Sequence, residues 1–309
     1  MNDLVSIIIP CYNASSFLKD AVQSVLDQTY MHWELILIND HSTDDTANVI
    51  QECVQLNPEK IRDGMTSGKG ACAARNTGLA MAKGKFIQFL DADDLIHTRK
   101  LEMQLSAFTE NTDVVYSDLR VISYVDGKLL EQQHFSGFSD QLLFMVVRKI
   151  LSSGNPIYKT SCVKSIGGYN VELSAAQDWD FHIRLVLFGA RFQYIPGEFF
   201  IIRKTEGSVS SNWIKVYETA CLHLPKLKDD IRSHAMYSQE IGDYLASVYY
   251  LTLIHSERQD QRRFLRKELR FWSEGRRSFL TSNFKKGISF VLGWRVLEWL
   301  ERSRVKKSA

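Results

Sequence analysis

The chain has 309 residues, 45% of them hydrophobic and 24% charged, with a formal net charge of +2. These values describe a globular chain with material for a large core and exclude a disordered, fibrous or low-complexity protein. The near-neutral balance hides an asymmetry, because residues 260–309 hold 14 Lys and Arg against 5 Asp and Glu. The rest of the chain is therefore acidic: by charge it is not a nucleic-acid binder, and only the tail is suited to an anionic surface.

The first apolar run, in MNDLVSIIIPCYN, stops at Pro10 with no basic stretch before it and no small-residue cleavage site after it. That predicts a strand, not a signal peptide. SSFLKDAVQSVLDQ follows as a helix, with Phe17, Leu18, Ala21, Val22, Val25 and Leu26 at helical spacing and Ser15 or Ser16 as its N-cap. WELILIND reads as a strand, DDTANVIQECVQL and GACAARNTGLAMAKG as helices, and FIQFL as a strand bounded by Gly84 and a cluster of carboxylates. Strands alternating with helices imply an α/β fold, a mainly parallel sheet with helices on both faces, and such sheets bind ligands at the carboxyl ends of their strands. Three polar features fall at those ends and should gather at one edge: Pro10 to Asn13, Asn39-Asp40, and Asp91 to Asp94.

Further along, RKLEMQLSAF reads as a helix, DVVYSDLRVIS as extended chain, and Asp126-Gly127 as a tight turn. Gly167 and Gly168 before Tyr169 permit a sharp turn, and residues 177–189 form a helix ended by Gly189. From Trp213 the chain reads as helical to its end, which divides it into an α/β domain over residues 1–212 and a helical extension over 213–309. Cys11, Cys53, Cys72, Cys162 and Cys221 are far apart, odd in number and without metal spacing, which fits a reducing cytoplasm.

Asp91, Asp93 and Asp94 offer oxygen ligands on one loop suited to Mg²⁺ or Mn²⁺; alternatively Asp93 or Asp94 caps the next helix. A dinucleotide-binding fold would need GxGxxG after the first strand, where this chain has PCYNAS. Asp178 opens a helix, where the macrodipole favours a carboxylate, and Asp180 with Arg184 makes an i,i+4 pair. Trp179 either stacks on a ligand ring or fills the core, and His182 is read as structural.

In VSIIIPCYNASSFLKDAVQSVLDQTY, ELILINDHSTDDT, GACAARNTGLAMAKGKFIQFLDADD, IGGYN, QDWDFHIRL and RKTEGSVS, taken in that order, the chain resembles the family 2 glycosyltransferases of the GT-A fold. The resemblance implies a nucleotide-sugar donor, with Pro10 and Tyr12 at the nucleobase and Asp40 accepting a hydrogen bond from the base ring. Arg75 then approaches the nucleotide and its phosphates. The Asp91-Ala92-Asp93 motif contacts the ribose and, through a divalent metal held by Asp91 and Asp93, the diphosphate. Asp178 takes the place of the general base, Gly168, Tyr169 and Trp179 border the acceptor site, and Arg203, Ser208 and Ser210 face the diphosphate.

Two positions depart from the family pattern: Gln177 stands where relatives have Glu, and Thr205 where many have His. The implied activity is inverting transfer, from a UDP-sugar by resemblance, to a hydroxyl of a glycan or lipid-linked acceptor in cell-surface polysaccharide assembly. Two rivals remain: a degenerate relative that binds without turnover, and a metal-dependent nucleotidyl- or phosphotransferase. The tail FKKGISFVLGWRVLEWLERSRVKK is interrupted by Arg295 and Glu298 and is too short to span a bilayer. It either lies on the inner face of an anionic membrane or packs against the protein.

Overall fold

The structure is a computed structural model describing residues 3–135, 151–204, 213–255 and 259–272. Strands β1 (Val5–Cys11), β2 (Trp33–Asn39), β3 (Ile61–Met65) and β4 (Phe86–Phe89) alternate with helices α1 (Leu18–Leu26), α2 (Thr46–Leu56) and α3 (Ala71–Met81). The four strands pair in parallel in the order β3-β2-β1-β4. Every residue of β2 and β4 is buried, as their continuous apolar runs require in a sheet covered by helices. Leu18, Ala21, Val22 and Val25 form the buried face of α1. Helix α3 packs tightly on β1 at Gly78, where a Cβ would lie 2.3 Å from Ile8 Cγ2.

The sheet continues through β5 (Leu95–Ile96), β6 (Val114–Ser123), β7 (Leu129–Gln133), β8 (Ile157–Lys159) and β9 (Phe192–Lys204), with α4 (Lys100–Ser106), α5 (Thr160–Ser165) and α6 (Gln177–Leu187) between them. Its order is β3-β2-β1-β4-β8-β6-β9-β5, with β7 paired to β6. Strand β8 runs antiparallel to both β4 and β6, and β9 runs parallel to β6, so the sheet is parallel through its first four strands and mixed beyond.

Two expected caps are absent. Helix α1 begins behind Phe17 with no side-chain cap, because the N–H and hydroxyl of Ser15 both donate to Asp44, at 3.2 and 2.7 Å. Neither Asp93 nor Asp94 caps α4, which begins behind Arg99.

The chain divides into two compact units, of which the first holds the whole sheet and the second the helices after residue 212. In the second, α7 (Trp213–Ser233), α8 (Gln239–His255) and α9 (Gln259–Trp272) bury Leu224, Leu245, Tyr249 and Trp272 among themselves. Lys228 of α7 pairs with Glu268 of α9 at 3.3 Å. Among the described residues no helix is long and apolar enough to cross a membrane.

Candidate active site

Register brings the candidate residues to one edge. Pro10 lies beside Ile38, Cys11 beside Asn39, and Ile8 beside Phe89, so the chain leaves β1, β2 and β4 on the same side. The loops that follow are tied together by short polar side chains. Asn13 accepts from the Thr43 N–H at 2.8 Å, Ser42 donates its N–H to Asn39 Oδ1 at 3.0 Å, and Ala14 donates to Thr46 Oγ1 at 2.7 Å. Asn13 and His41 adopt the left-handed region, with φ of 47° and 58°. Burial opposes ionisation of Asp44, but the donors of Thr46 and Ser15 together outweigh it and hold its carboxyl well below the usual range.

Asp40 is 7% exposed on this edge. Its Oδ2 accepts the Gly70 N–H at 2.7 Å, while Oδ1 is buried with no partner. Oδ1 is thus left as a buried acceptor with capacity for one further donor. Tyr12, 61% exposed, presents its ring at the end of β1, and Pro10 is half-buried behind it.

The acidic loop after β4 is held from both sides. Arg75, from α3, is 5% exposed and donates to Asp91 Oδ1 at 2.5 Å and to Gln177 Oε1 at 3.1 Å. Burial works against its charge, but Asp91, Tyr169 and Asp178 outweigh burial and keep the guanidinium protonated. Ala92 is buried. Burial and the neighbouring Asp91 raise the carboxyl of Asp93; Asp94 is pushed up further by burial and by both neighbours. Asp94 accepts the Arg203 N–H at 3.0 Å, and Arg203 donates to the Asp93 carbonyl at 2.5 Å, to Asp20 at 2.6 Å and to the Phe17 carbonyl at 3.2 Å. The guanidinium of Arg203 thus fastens the acidic loop to α1. Thr205, Ser208 and Ser210 lie outside the described residues.

Asp178 is the second residue of α6, where the helix N-terminus favours negative charge. Its Oδ1 accepts from the Ser153 hydroxyl and its Oδ2 from the Ser153 N–H, the latter at 3.3 Å. Burial raises its carboxyl and Asp91 adds to this, while Arg75 and Ser153 pull it back. The neighbouring Gln177 accepts from Arg75 and donates to the Leu173 carbonyl at 3.1 Å.

Gly168 and Tyr169 form the turn beside α6. Asn76 holds both polar backbone groups of Tyr169, at 2.8 Å each, and Arg184 donates to the carbonyls of Ile166 and Gly168 at 3.0 and 2.8 Å. The Tyr169 ring is buried, stacked on Phe181 at 4.1 Å with the Arg75 guanidinium 5.1 Å from its centre. Trp179 is 6% exposed, a core position. Asn76 and Ser153 escaped the sequence reading; Asn76 adjoins Arg75 and was within reach of it, whereas nothing local marks Ser153.

Among the described residues no group of three or more His, Cys, Asp or Glu side chains is arranged to hold a metal. The oxygens of Asp91 and Asp93 still suit Mg²⁺ or Mn²⁺, which take one or two protein carboxylates and fill their other positions with water and phosphate oxygens. Burial first and the charge of Asp91 second raise Asp93, and a cation would relieve the second of these.

The fold has counterparts among solved structures. S. aureus TarS 1–349 in complex with UDP superposes with a TM-score of 0.67 over 97% of this chain and 91% of that one, at 17% identity. The mannosyltransferase PcManGT of Pyrobaculum calidifontis, solved with GDP-Man and Mn²⁺, gives 0.61 over 96% and 82%, at 16% identity. The fold is that of the GT-A glycosyltransferases.

The profile described as Glycosyl transferase family 2 matches residues 6–167, and the chain belongs to that family. TuaG of Bacillus subtilis (strain 168), named for teichuronic acid biosynthesis, is 40% identical over 109 residues, 35% of this chain and 43% of TuaG. Escherichia coli WfgD, named as a UDP-Glc:α-D-GlcNAc-diphosphoundecaprenol β-1,3-glucosyltransferase, is 40% identical over 121 residues, 39% of this chain and 47% of WfgD. The matched stretch spans less than half the length of each of these relatives.

Proposed function

We propose that the protein transfers a sugar from a nucleoside-diphosphate donor, a UDP-sugar, to a hydroxyl of a glycan or lipid-linked acceptor, with inversion at the anomeric carbon. One observation carries the reading: Arg75 joins the acidic loop to the residue beside Asp178, so donor-side and acceptor-side groups meet on one buried cation. In support, TuaG is named for teichuronic acid biosynthesis and WfgD for glucosyl transfer to a GlcNAc-diphosphoundecaprenol acceptor. The basic tail would bring the protein to the cytoplasmic face of the membrane that carries such acceptors.

In this scheme Asp40 Oδ1 accepts from the base ring, Tyr12 and Pro10 wall the base, and Asp91 contacts the ribose. Asp91 and Asp93 would hold a divalent cation, which when bound neutralises charge on the departing diphosphate without a proton donor. Asp178 removes the proton from the acceptor hydroxyl as that oxygen bonds the anomeric carbon, and the bond from that carbon to the diphosphate oxygen breaks. Attack opposite the leaving group inverts the configuration. Arg75 keeps positive charge between the base and the acidic loop. Arg203 positions the loop from behind.

Thermal melting with UDP, GDP, ADP and their sugars, each with and without Mn²⁺, tests the donor site, because a ligand that binds only the native state raises the melting temperature. A Mn²⁺-dependent rise with uridine nucleotides, lost in Asp40→Asn, is expected. Absence of any nucleotide response would remove the donor site.

A further inference from the structure

Ser153 lies outside every motif that carries the family resemblance, yet both of its donors go to one side chain. The hydroxyl reaches Asp178 Oδ1 and the N–H reaches Oδ2. Ser153 is fully buried, and the turn that carries it is fixed independently of Asp178. Asn155 accepts the Ser117 N–H at 2.9 Å and donates to the Ser117 carbonyl at 2.8 Å. The Asn155 carbonyl accepts from Gln104 at 3.1 Å and from the buried Nζ of Lys100. Gln88 donates to the Gly154 carbonyl at 2.8 Å. Donors from α4 and β4 and both backbone groups of Ser117 on β6 therefore set the turn before any substrate arrives.

A carboxylate whose two oxygens each accept one bond from the same residue has its torsion fixed, and each oxygen keeps a lone pair for another donor. We propose that Ser153 is a positioning residue for transfer, fixing the Asp178 carboxylate in the orientation from which it takes the acceptor proton. The proposal rests on Asp178 being the base. The proton passes from the acceptor oxygen to Asp178, and Ser153 keeps its own.

Ser153 also acts on charge. Arg75 from α3, Asp91 from the loop after β4, Tyr158 from β8, Tyr169 from the glycine turn and Cys72 at the start of α3 all interact electrostatically with Asp178, and the buried His182 lies one turn along α6. Among these the donors of Ser153 and the charge of Arg75 favour the ionised carboxylate, so loss of the hydroxyl moves its titration upward.

The test uses the full chain with Ser153→Ala and Ser153→Cys. The Asp178 carboxyl carbon is followed by ¹³C NMR against pH, its signal assigned by disappearance in Asp178→Asn, and UDP release from UDP-glucose is measured alongside. The Ala variant is expected to titrate about one pH unit higher, with kcat roughly tenfold lower and an unchanged KM, and the Cys variant to move the same way by less. A folded Ala variant with an unmoved midpoint overturns the proposal; if that variant does not melt cooperatively, an unmoved midpoint in the Cys variant overturns it. Full turnover by Asp178→Asn would instead remove the base reading, and the titration still reports whether Ser153 holds that carboxylate.

Discussion

Arg75 is the side chain on which the two halves of the site meet, and its partners explain why Gln177 is compatible with a working centre. A Glu there would set a second carboxylate beside Asp178, whereas the amide gives Arg75 an acceptor at 3.1 Å and anchors itself on the Leu173 carbonyl. Asp91 is then the carboxylate in direct contact with the guanidinium. The turn before Tyr169 shows how little room the site leaves. Gly167 and Gly168 both have φ of +74°, but a Cβ on Gly167 meets nothing within 4 Å, while one on Gly168 would lie 2.4 Å from Asn76 Oδ1. Gly167→Ala is expected to cost about 1–2 kcal/mol for the left-handed backbone alone. Gly168→Ala should cost about 3 kcal/mol or more, because Asn76 must also release Tyr169. Urea unfolding of the two variants measures the difference, and equal losses would show that the Asn76 clamp contributes nothing.

At the scale of elements, α6 carries both the base and a buried titratable group. His182 is 1% exposed, its Nε2 is 2.8 Å from the Tyr158 hydroxyl, and burial lowers it to about 3. In the unfolded chain it titrates near 6.5, so between that pH and about 3 the unfolded state binds more protons and stability falls as pH falls. His182→Gln is expected to flatten that fall in urea unfolding from pH 7 to pH 4; an unchanged slope would mean that other groups dominate acid unfolding.

The elements themselves were unevenly legible. Strands β1, β2 and β4 and helices α1 to α3 follow from apolar spacing, since each buries a continuous run or a single face. Strand β3, IRDGM, was hidden because only Ile61 and Met65 are apolar and a glycine interrupts it. Strand β9 was hidden by Pro196 and Gly197 in its middle, which the sheet absorbs through register shifts opposite Ser117 and Asp118. Of the site, the residues at strand ends were readable because parallel topology places them together. The link from Arg75 to Gln177 and the clamp of Ser153 on Asp178 were not, since they join positions 102 and 25 apart that no local pattern relates.

At the scale of the molecule, the family match ends at residue 167 and Asp178 lies beyond it. Pro10, Tyr12, Asp40, Arg75, Asp91 and Asp93 therefore lie in the shared segment, whereas the role of Asp178 rests on geometry and on the resemblance in QDWDFHIRL. Of the two compact units, the first contains every candidate residue, and the second packs its own helical core. The measurement that tests the account most directly is product analysis with a labelled UDP-sugar and a panel of glycan and lipid-linked acceptors, comparing the wild-type chain with Asp178→Asn. Free UDP and a glycosylated acceptor of inverted configuration are expected from the wild type, and no transfer by a variant that still binds donor. Pyrophosphate as the product, retained configuration, or undiminished transfer by Asp178→Asn would contradict it.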